Sequence, residues 1–213
     1  DLRSLPLLYP PLPEQRRIAE ILSTVDQLIH QTDAVIEETK RLKRGLMQEL
    51  LTQGIGHESY KTVQIGPETL EIPEEWSVTL IDDVASRYVS GGTPDSKTEA
   101  YWGGKLPWTT AAVVEGPVFA GQKDFITQSG LENSASSIVP KGGILFGTRV
   151  NVGNVGRANK DVAISQDLTG IILDENKIAT DFVVWYLIAN QTRIKDTYSQ
   201  GSTIQGMLTD DLR

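Results

Sequence analysis

The chain has no cysteine among its 213 residues and only two histidines. The first absence excludes disulfides and thiolate metal sites, and it is compatible with a reducing cytoplasm. The second leaves His30 and His57 as the only imidazoles, with His30 on a helix and His57 beyond its end, too little for a metal centre. Long apolar runs are also missing. The longest, Phe182 to Ala189, is far too short to span a bilayer. No signal peptide is visible. An excess of base is lacking too: the formal net charge is −8 and the isoelectric point lies near 4.8. That is not the footprint of a simple nucleic-acid binder. No Gly-x-Ser-x-Gly, no cysteine nucleophile and no His beside a Ser/Asp pair occurs. The run Gly92–Thr98 brushes against a phosphate-binding loop, but lacks the glycine before Lys97, and Pro94 removes a donor. Asp82 and Asp83 are adjacent and point apart on a helix. No catalytic constellation results, and a binding module is the better class.

What is present is dominated by one stretch, Pro13 to Gly54. With Ile18 at heptad position a, the a row is Ile18, Val25, Thr32, Thr39 and Leu46. The d row is Ile21, Leu28, Val35, Leu42 and Glu49. The neighbouring e row adds Leu22, Ile29, Ile36 and Leu50. One broad apolar stripe follows, on a helix with no internal proline. About 40 residues at ~1.5 Å rise make a rod of roughly 60 Å, a length that suggests a coiled coil. The opposite face is charged with both signs. A long core helix within one globule is the competing reading. Thr32 and Thr39 are expected to soften the seam and help fix its register.

Around the rod the sequence is punctuated. Residues 1–13 are proline-rich and favour an extended lead-in. Residues 57–72 read as a loop, Trp76–Leu80 as a strand, and Ile81–Ala85 as one helical turn. Arg87–Ser90 reads as a strand before the turn-rich Gly91–Thr98. Ile144–Phe146 reads as a buried strand, Asn151–Gly156 as a hairpin tip, and Asp161–Thr169 and Gly170–Leu173 as strands. Thr180 to about Tyr198 reads as a helix capped by Thr180. The expected fold class is α+β: a long coiled-coil-type helix followed by a mixed α/β domain. The chain starts at Asp1 rather than Met, which suggests a cut or processed N-terminus. Asp-Leu-Arg stands near both ends, as if one period of a longer repeat were present.

Charge is unevenly spread. From Asn133 to Lys160 there is no acid, but Lys141, Arg149, Arg157 and Lys160 are present. A locally basic strip could face phosphate while the acids at 68–75, 82–83, 174–175 and 210–211 face water.

In order and spacing, several segments resemble the DNA-specificity subunit of type I restriction-modification enzymes. They are Pro10–Gln15 opening the helix, Ile72-Pro-Glu-Glu-Trp76, Ser90-Gly-Gly-Thr-Pro94, Tyr101–Gly104 with Pro107-Trp108, Pro140–Gly142, Thr148-Arg149 with Val152-Gly153, Ser165-Gln166, and Gly201–Ile204. After the lead-in at 1–13, the resemblance implies a conserved spacer helix at 14–54, which sets half-site spacing and docks methyltransferase subunits, and a DNA target recognition domain at 55–213. It implies a fragment with one recognition domain and one helix, where the family's subunit has two of each. It further implies a non-catalytic, cytoplasmic subunit that reads half of a bipartite site. Its partners would be double-stranded DNA, methyltransferase subunits and restriction/translocase subunits. S-adenosylmethionine and ATP would belong to those partners, and no cofactor or metal to this chain. The uncovered stripe (Ile18, Ile21, Leu22, Val25, Leu28, Ile29, Val35, Ile36, Leu42 and Leu46) would self-associate or be covered by another chain.

Base edges want Arg, Asn and Gln; phosphates want cations, hydroxyls and backbone N–H. The candidate DNA contacts are Thr93, Ser96, Lys97, Trp108, Arg149, Asn151, Asn154, Lys160, Gln166, Ser202, Thr203 and Gln205. Asn151 and Asn154 could equally be turn formers, and Trp108 a core residue. A coiled-coil scaffold whose head binds protein or carbohydrate, with no DNA role, is the alternative. Residues 54–213 carry 13 Lys/Arg against 20 Asp/Glu, so affinity for duplex from this part alone should be weak.

Overall fold

The structure is a computed structural model that describes residues 4–65 and 68–198. It divides into two compact units, Asp1–Glu49 and Leu50–Arg213. Helix α1 runs Leu12–Thr52, 41 residues, and none of them is buried. Every aliphatic residue of the stripe is exposed, from 42% at Leu50 to 65% at Val35. Burying one such side chain is worth about 1.5–3 kcal/mol, so the helix leaves a large stabilisation unrealised. Thr32 and Thr39 in the a row donate their hydroxyls to the carbonyls of Leu28 and Val35, each at 2.8 Å. A satisfied hydroxyl can be covered by a partner at little cost and needs no cross-helix bond. The two threonines therefore interrupt the apolar row with hydroxyls already paired within the helix.

The second unit is α+β. Strands β1 (Tyr60–Ile65) and β2 (Glu68–Pro73) form an antiparallel hairpin with Val63 opposite Leu70. This stretch reads as loop in the sequence. Its alternation of Val63 and Ile65 with Leu70 and Ile72 is short and broken by charge. The strand expected at Trp76–Leu80 is absent. The chain turns at Pro73–Trp76 and runs on without a ladder partner to the helical turn α2 (Ile81–Val84).

Two further sheets carry the core. The larger holds β3 (Ala85–Ser90), β5 (Val118–Phe119), β8 (Ile144–Gly147), β9 (Val155–Ala158) and β11 (Leu168–Leu173), in the order β3-β11-β8-β9-β5. The smaller holds β4 (Trp102–Thr109), β6 (Asp124–Ile126), β7 (Ser137–Val139) and β10 (Val162–Ile164), in the order β6-β4-β10-β7. Successive side chains of a strand face opposite sides. Thus Ile144 and Phe146 pack with Val183, Val184 and Leu187, while Leu145 packs with Val89, Val114, Val162, Ile164 and Leu168. A third cluster joins Trp108, Ile126 and Ala163, against which Trp102 and Leu106 pack. A short helix, α3 (Gln128–Glu132), follows β6. The segment 161–173, expected as near-continuous strand, is broken by a turn at Ser165–Asp167 that carries the chain from β10 to β11.

The C-terminal helix is also divided, into α4 (Thr180–Ala189) and α5 (Gln191–Tyr198). At the break, the Tyr186 carbonyl accepts both the Asn190 N–H at 3.1 Å and the Asn190 side-chain amide at 2.8 Å. Thr180 is not the cap. Ala179 holds that position, and the Thr180 hydroxyl donates to Glu175 Oε1 at 3.0 Å. Among the described residues no helix is long and apolar enough to cross a membrane.

Candidate functional site

Strand directions bring four loops to one end of the second unit. β11 is antiparallel to β3 with Thr169 opposite Ser90, and antiparallel to β8 with Leu168 opposite Gly147. The start of β11 therefore lies beside the ends of β3 and β8. β10 feeds that start through the Ser165–Asp167 turn and runs parallel to β4, with Ile164 beside Thr109. The C-terminal ends of β3, β4, β8 and β10 thus share one edge. From them emerge loop 91–98, Thr110, loop 148–154 and Gln166.

These loops are held closely. Gly92 donates its N–H to the Ile164 carbonyl at 2.9 Å, and Ser165 donates to the Thr109 carbonyl at 2.9 Å. A Cβ on Gly91 would lie 2.2 Å from the Ser165 carbonyl oxygen, so only glycine allows this approach. Two indoles fasten the loop from below: Trp108 donates to the Gly92 carbonyl at 3.2 Å and Trp102 to the Asp95 carbonyl at 3.1 Å. The two rings meet edge to face at 5.3 Å. Trp108 is only 5% exposed. It is a core residue that positions the loop, and no base can stack on it in this arrangement.

The sequence candidates separate into groups. Thr93 and Gln166, 73 positions apart, are joined by the Thr93 hydroxyl donating to Gln166 Oε1 at 2.6 Å. Ser96 and Lys97 are exposed in the same loop, where Asp95 caps the turn by accepting the Lys97 N–H at 3.0 Å. Arg149 is exposed at the same end, with no partner among the described residues. Asn151 adopts a left-handed φ of 51°, and so acts as a turn former with an exposed side chain. Both ends of the Asn154 amide are spent: it donates to the Ala111 carbonyl at 3.1 Å and accepts from Gln191 at 3.0 Å. It anchors the loop to its surroundings.

The basic strip does not survive folding as one patch. β8 and β9 are antiparallel, with Ile144 opposite Arg157 and Phe146 opposite Val155. Lys141 before β8 and Lys160 after β9 therefore lie at the far end of the ladder. The four residues of β9 alone set them roughly 13 Å from the 148–154 loop. Lys160 donates to Gln122 there at 2.8 Å. Arg157 sits mid-strand with Nε 2.6 Å from Asp181 Oδ1, close as an ion pair though not aligned as a hydrogen bond. Ser202, Thr203 and Gln205 lie outside the described residues.

Two groups at this edge escape the sequence reading. Thr110 leaves the end of β4, and the Thr148 hydroxyl reaches the Asp167 carbonyl at 3.4 Å. The parallel pairing of β4 with β10 brings in Thr110, and the antiparallel pairing of β8 with β11 brings in Thr148. The edge offers the cations Lys97 and Arg149, with Lys123 beside the end of β4, and the acids Asp95 and Asp167, with Asp124 opposite Trp108; Asp95 and Asp167 accept from nearby N–H and hydroxyl donors. Hydroxyls and the amides of Asn151 and Gln166 surround them. This is a surface for hydrogen-bonded reading rather than for strong phosphate capture.

The α+β architecture is shared with known proteins. The model of the type I restriction modification DNA specificity domain matches residues 73–213. The chain belongs to that family. It is 31% identical to the MjaX specificity subunit of Methanocaldococcus jannaschii, over 88% of this chain and 42% of that protein. It is 26% identical to the type I restriction enzyme MjaVIII specificity subunit of the same organism, over 84% of this chain and 43% of that protein. The chain thus spans under half the length of these relatives. Among solved structures it resembles the HsdS subunit of Thermoanaerobacter tengcongensis, with a TM-score of 0.54 and 20% identity over 93% of this chain and 47% of that one. It also resembles a chain solved in work on complex assembly and conformational transition of the type I R-M system. There the TM-score is 0.60 at 19% identity, over 95% of this chain and 46% of the other. At these identities the two structures establish the fold. The scaffold reading without a DNA role finds no support among the relatives.

The close packing of Gly91 carries a stability consequence. Gly91→Ala must displace the β10 turn and is expected to cost about 1–3 kcal/mol. Urea unfolding monitored by tryptophan fluorescence measures it. An unchanged midpoint would contradict the packing described.

Proposed function

We propose that this chain is a recognition piece of a type I restriction-modification system, reading one half of a bipartite duplex site. The observation that carries the reading is the shared edge at the ends of β3, β4, β8 and β10. There Thr93, Ser96, Lys97, Arg149, Asn151 and Gln166 are brought together by strands far apart in sequence. Arg149 suits a guanine edge or a phosphate, and Gln166 an adenine edge. Thr93 fixes one side of the Gln166 amide, which limits the orientations the amide must lose on binding. Lys97 and the hydroxyls suit phosphate. The recognition part is 55–213, and 14–54 is the spacer.

The chain carries recognition and leaves the chemistry to partners. Those partners are the methyltransferase, with S-adenosylmethionine, and the restriction/translocase subunits, with ATP. The setting is the cytoplasm, where the DNA is. A net charge of −7 over 54–213 neutralises few phosphates, so duplex affinity depends on the methyltransferase. Helix α1, at ~1.5 Å per residue, is roughly 60 Å long. Half-sites one helical turn apart lie ~34 Å from each other, within the reach of such a spacer. The exposed stripe is covered by self-association.

Two experiments test these points. Selection from a random duplex library, in the presence of the methyltransferase, should enrich a short motif. Arg149→Ala should relax one position of it at a cost of about 1–3 kcal/mol, while Lys160→Ala leaves the motif unchanged. No enrichment from a stable complex, or a motif indifferent to Arg149, would refute the reading. Light scattering at tens of micromolar should report a dimer, reduced to monomer by Leu28→Glu. A monomeric wild type would refute self-association through the stripe.

A further inference from the structure

The segment Trp76–Leu80 is built like a strand and lacks a neighbour. Its sequence, Trp-Ser-Val-Thr-Leu, alternates apolar and hydroxylic residues, and Trp, Val and Thr favour strands. Leu80 is extended, at φ −83° and ψ 153°. The backbone N–H and carbonyl groups of Ser77, Val78 and Thr79 have no hydrogen-bond partner among the described residues. Val78 is 52% exposed and Leu80 60%. Trp76, half-buried, contacts Phe182 edge to face at 6.5 Å, and Phe182 is itself 41% exposed. The segment's end is fixed, because Asp83 Oδ2 accepts the Leu80 N–H at 3.2 Å. An exposed extended segment with free main-chain groups is a template for strand addition.

The surroundings say what kind of strand fits. Between Glu68 and Asp83 there are six acids and no base. Glu74 and Glu75 precede the segment; Asp82 and Asp83 follow it. Two lysines reach its flanks, Lys61 to the Glu74 carbonyl at 2.6 Å and Lys177 to the Asp83 carbonyl at 2.9 Å. Four carboxylates still outnumber these two cations. The segment also lies at the N-terminal end of β3, opposite the edge where β3 delivers loop 91–98. An occupant here would leave that edge open.

We propose that Ser77–Leu80 is a docking strand, to which a basic, apolar extended segment of a protein partner adds by main-chain hydrogen bonds. Apolar side chains of the incoming strand cover Val78, Leu80 and Phe182, and its Lys or Arg residues face Glu74, Glu75 and Asp82. The choice of probe rests on the function proposed above: the methyltransferase subunit, added to the full chain.

Amide hydrogen exchange reads the main chain directly. In the chain alone, the amides of Ser77, Val78 and Thr79 should exchange freely at any protein concentration. With the methyltransferase subunit they should be protected at least tenfold. Val78→Asp/Leu80→Asp, at exposed positions, should raise the Kd of that complex about tenfold or more, and added salt should weaken the wild-type complex. The duplex motif selected at saturating methyltransferase should be unchanged by the double variant, which separates this docking from DNA reading. Amides that stay unprotected in a formed complex would overturn the proposal. So would protection that grows with concentration in the chain alone, which would make a second copy the occupant. No complex with the wild-type chain would overturn the proposed function, and this inference with it.

Discussion

One main-chain hydrogen bond organises the edge to which function is assigned. Ser165 donates to the Thr109 carbonyl at the point where β10 ends beside β4. The chain then turns through Ser165–Asp167 into β11 and passes from the smaller sheet to the larger. That turn is the joint of the unit. Gly91 rests against its carbonyls, Gln166 projects from it to meet Thr93, and the carbonyl of Asp167 receives the N–H of Thr148 at 2.9 Å. Shift the register of β10 by one residue and its inward set would face outward. All four loops would then lose their common edge.

Around this joint the side chains divide their roles by depth. Trp108 and Trp102 spend their indole N–H groups on loop carbonyls. Asn154 spends both ends of its amide on loop anchoring. What remains at the surface is a small, nearly neutral set: Lys97, Arg149, Gln166 and several hydroxyls. Such a set discriminates better than it attracts, because discrimination comes from paired hydrogen bonds whereas attraction comes from net charge. The acids Glu74, Glu75, Asp82 and Asp83 flank the segment that leads into the N-terminal end of β3, away from the loop that β3 delivers. An acidic molecule can therefore present one edge that does not repel duplex.

The long helix was legible because its period repeats over many turns, and its exposed stripe is the same stripe that the pattern shows. The α+β class and strands such as Ile144–Phe146 were legible from short apolar runs between turn residues. Other features depend on partners distant in sequence. The hairpin 60–73 was missed because its alternation is brief and interrupted by charge. Trp76–Leu80 was read as a strand from local preference, but pairing is not a local property. The basic strip 141–160 was contiguous in sequence, yet β8 and β9 carry its members to opposite ends. Thr93 and Gln166 were both singled out, but nothing local indicates that they touch. Asn154 illustrates the same limit, since its anchoring partners Ala111 and Gln191 lie on two other elements.

The absence of cysteine makes the central claim directly measurable. A single cysteine carrying a photoreactive group can be placed at Ser96 or Val150, on the shared edge, or at Lys141, at the far end of the β8–β9 ladder. The assembly with methyltransferase and duplex is then irradiated. Crosslinks to DNA from Ser96→Cys and Val150→Cys, and none from Lys141→Cys, are the result this account predicts. Crosslinks confined to the far end would contradict it, and would move the recognition surface to the lysines that the fold sets apart.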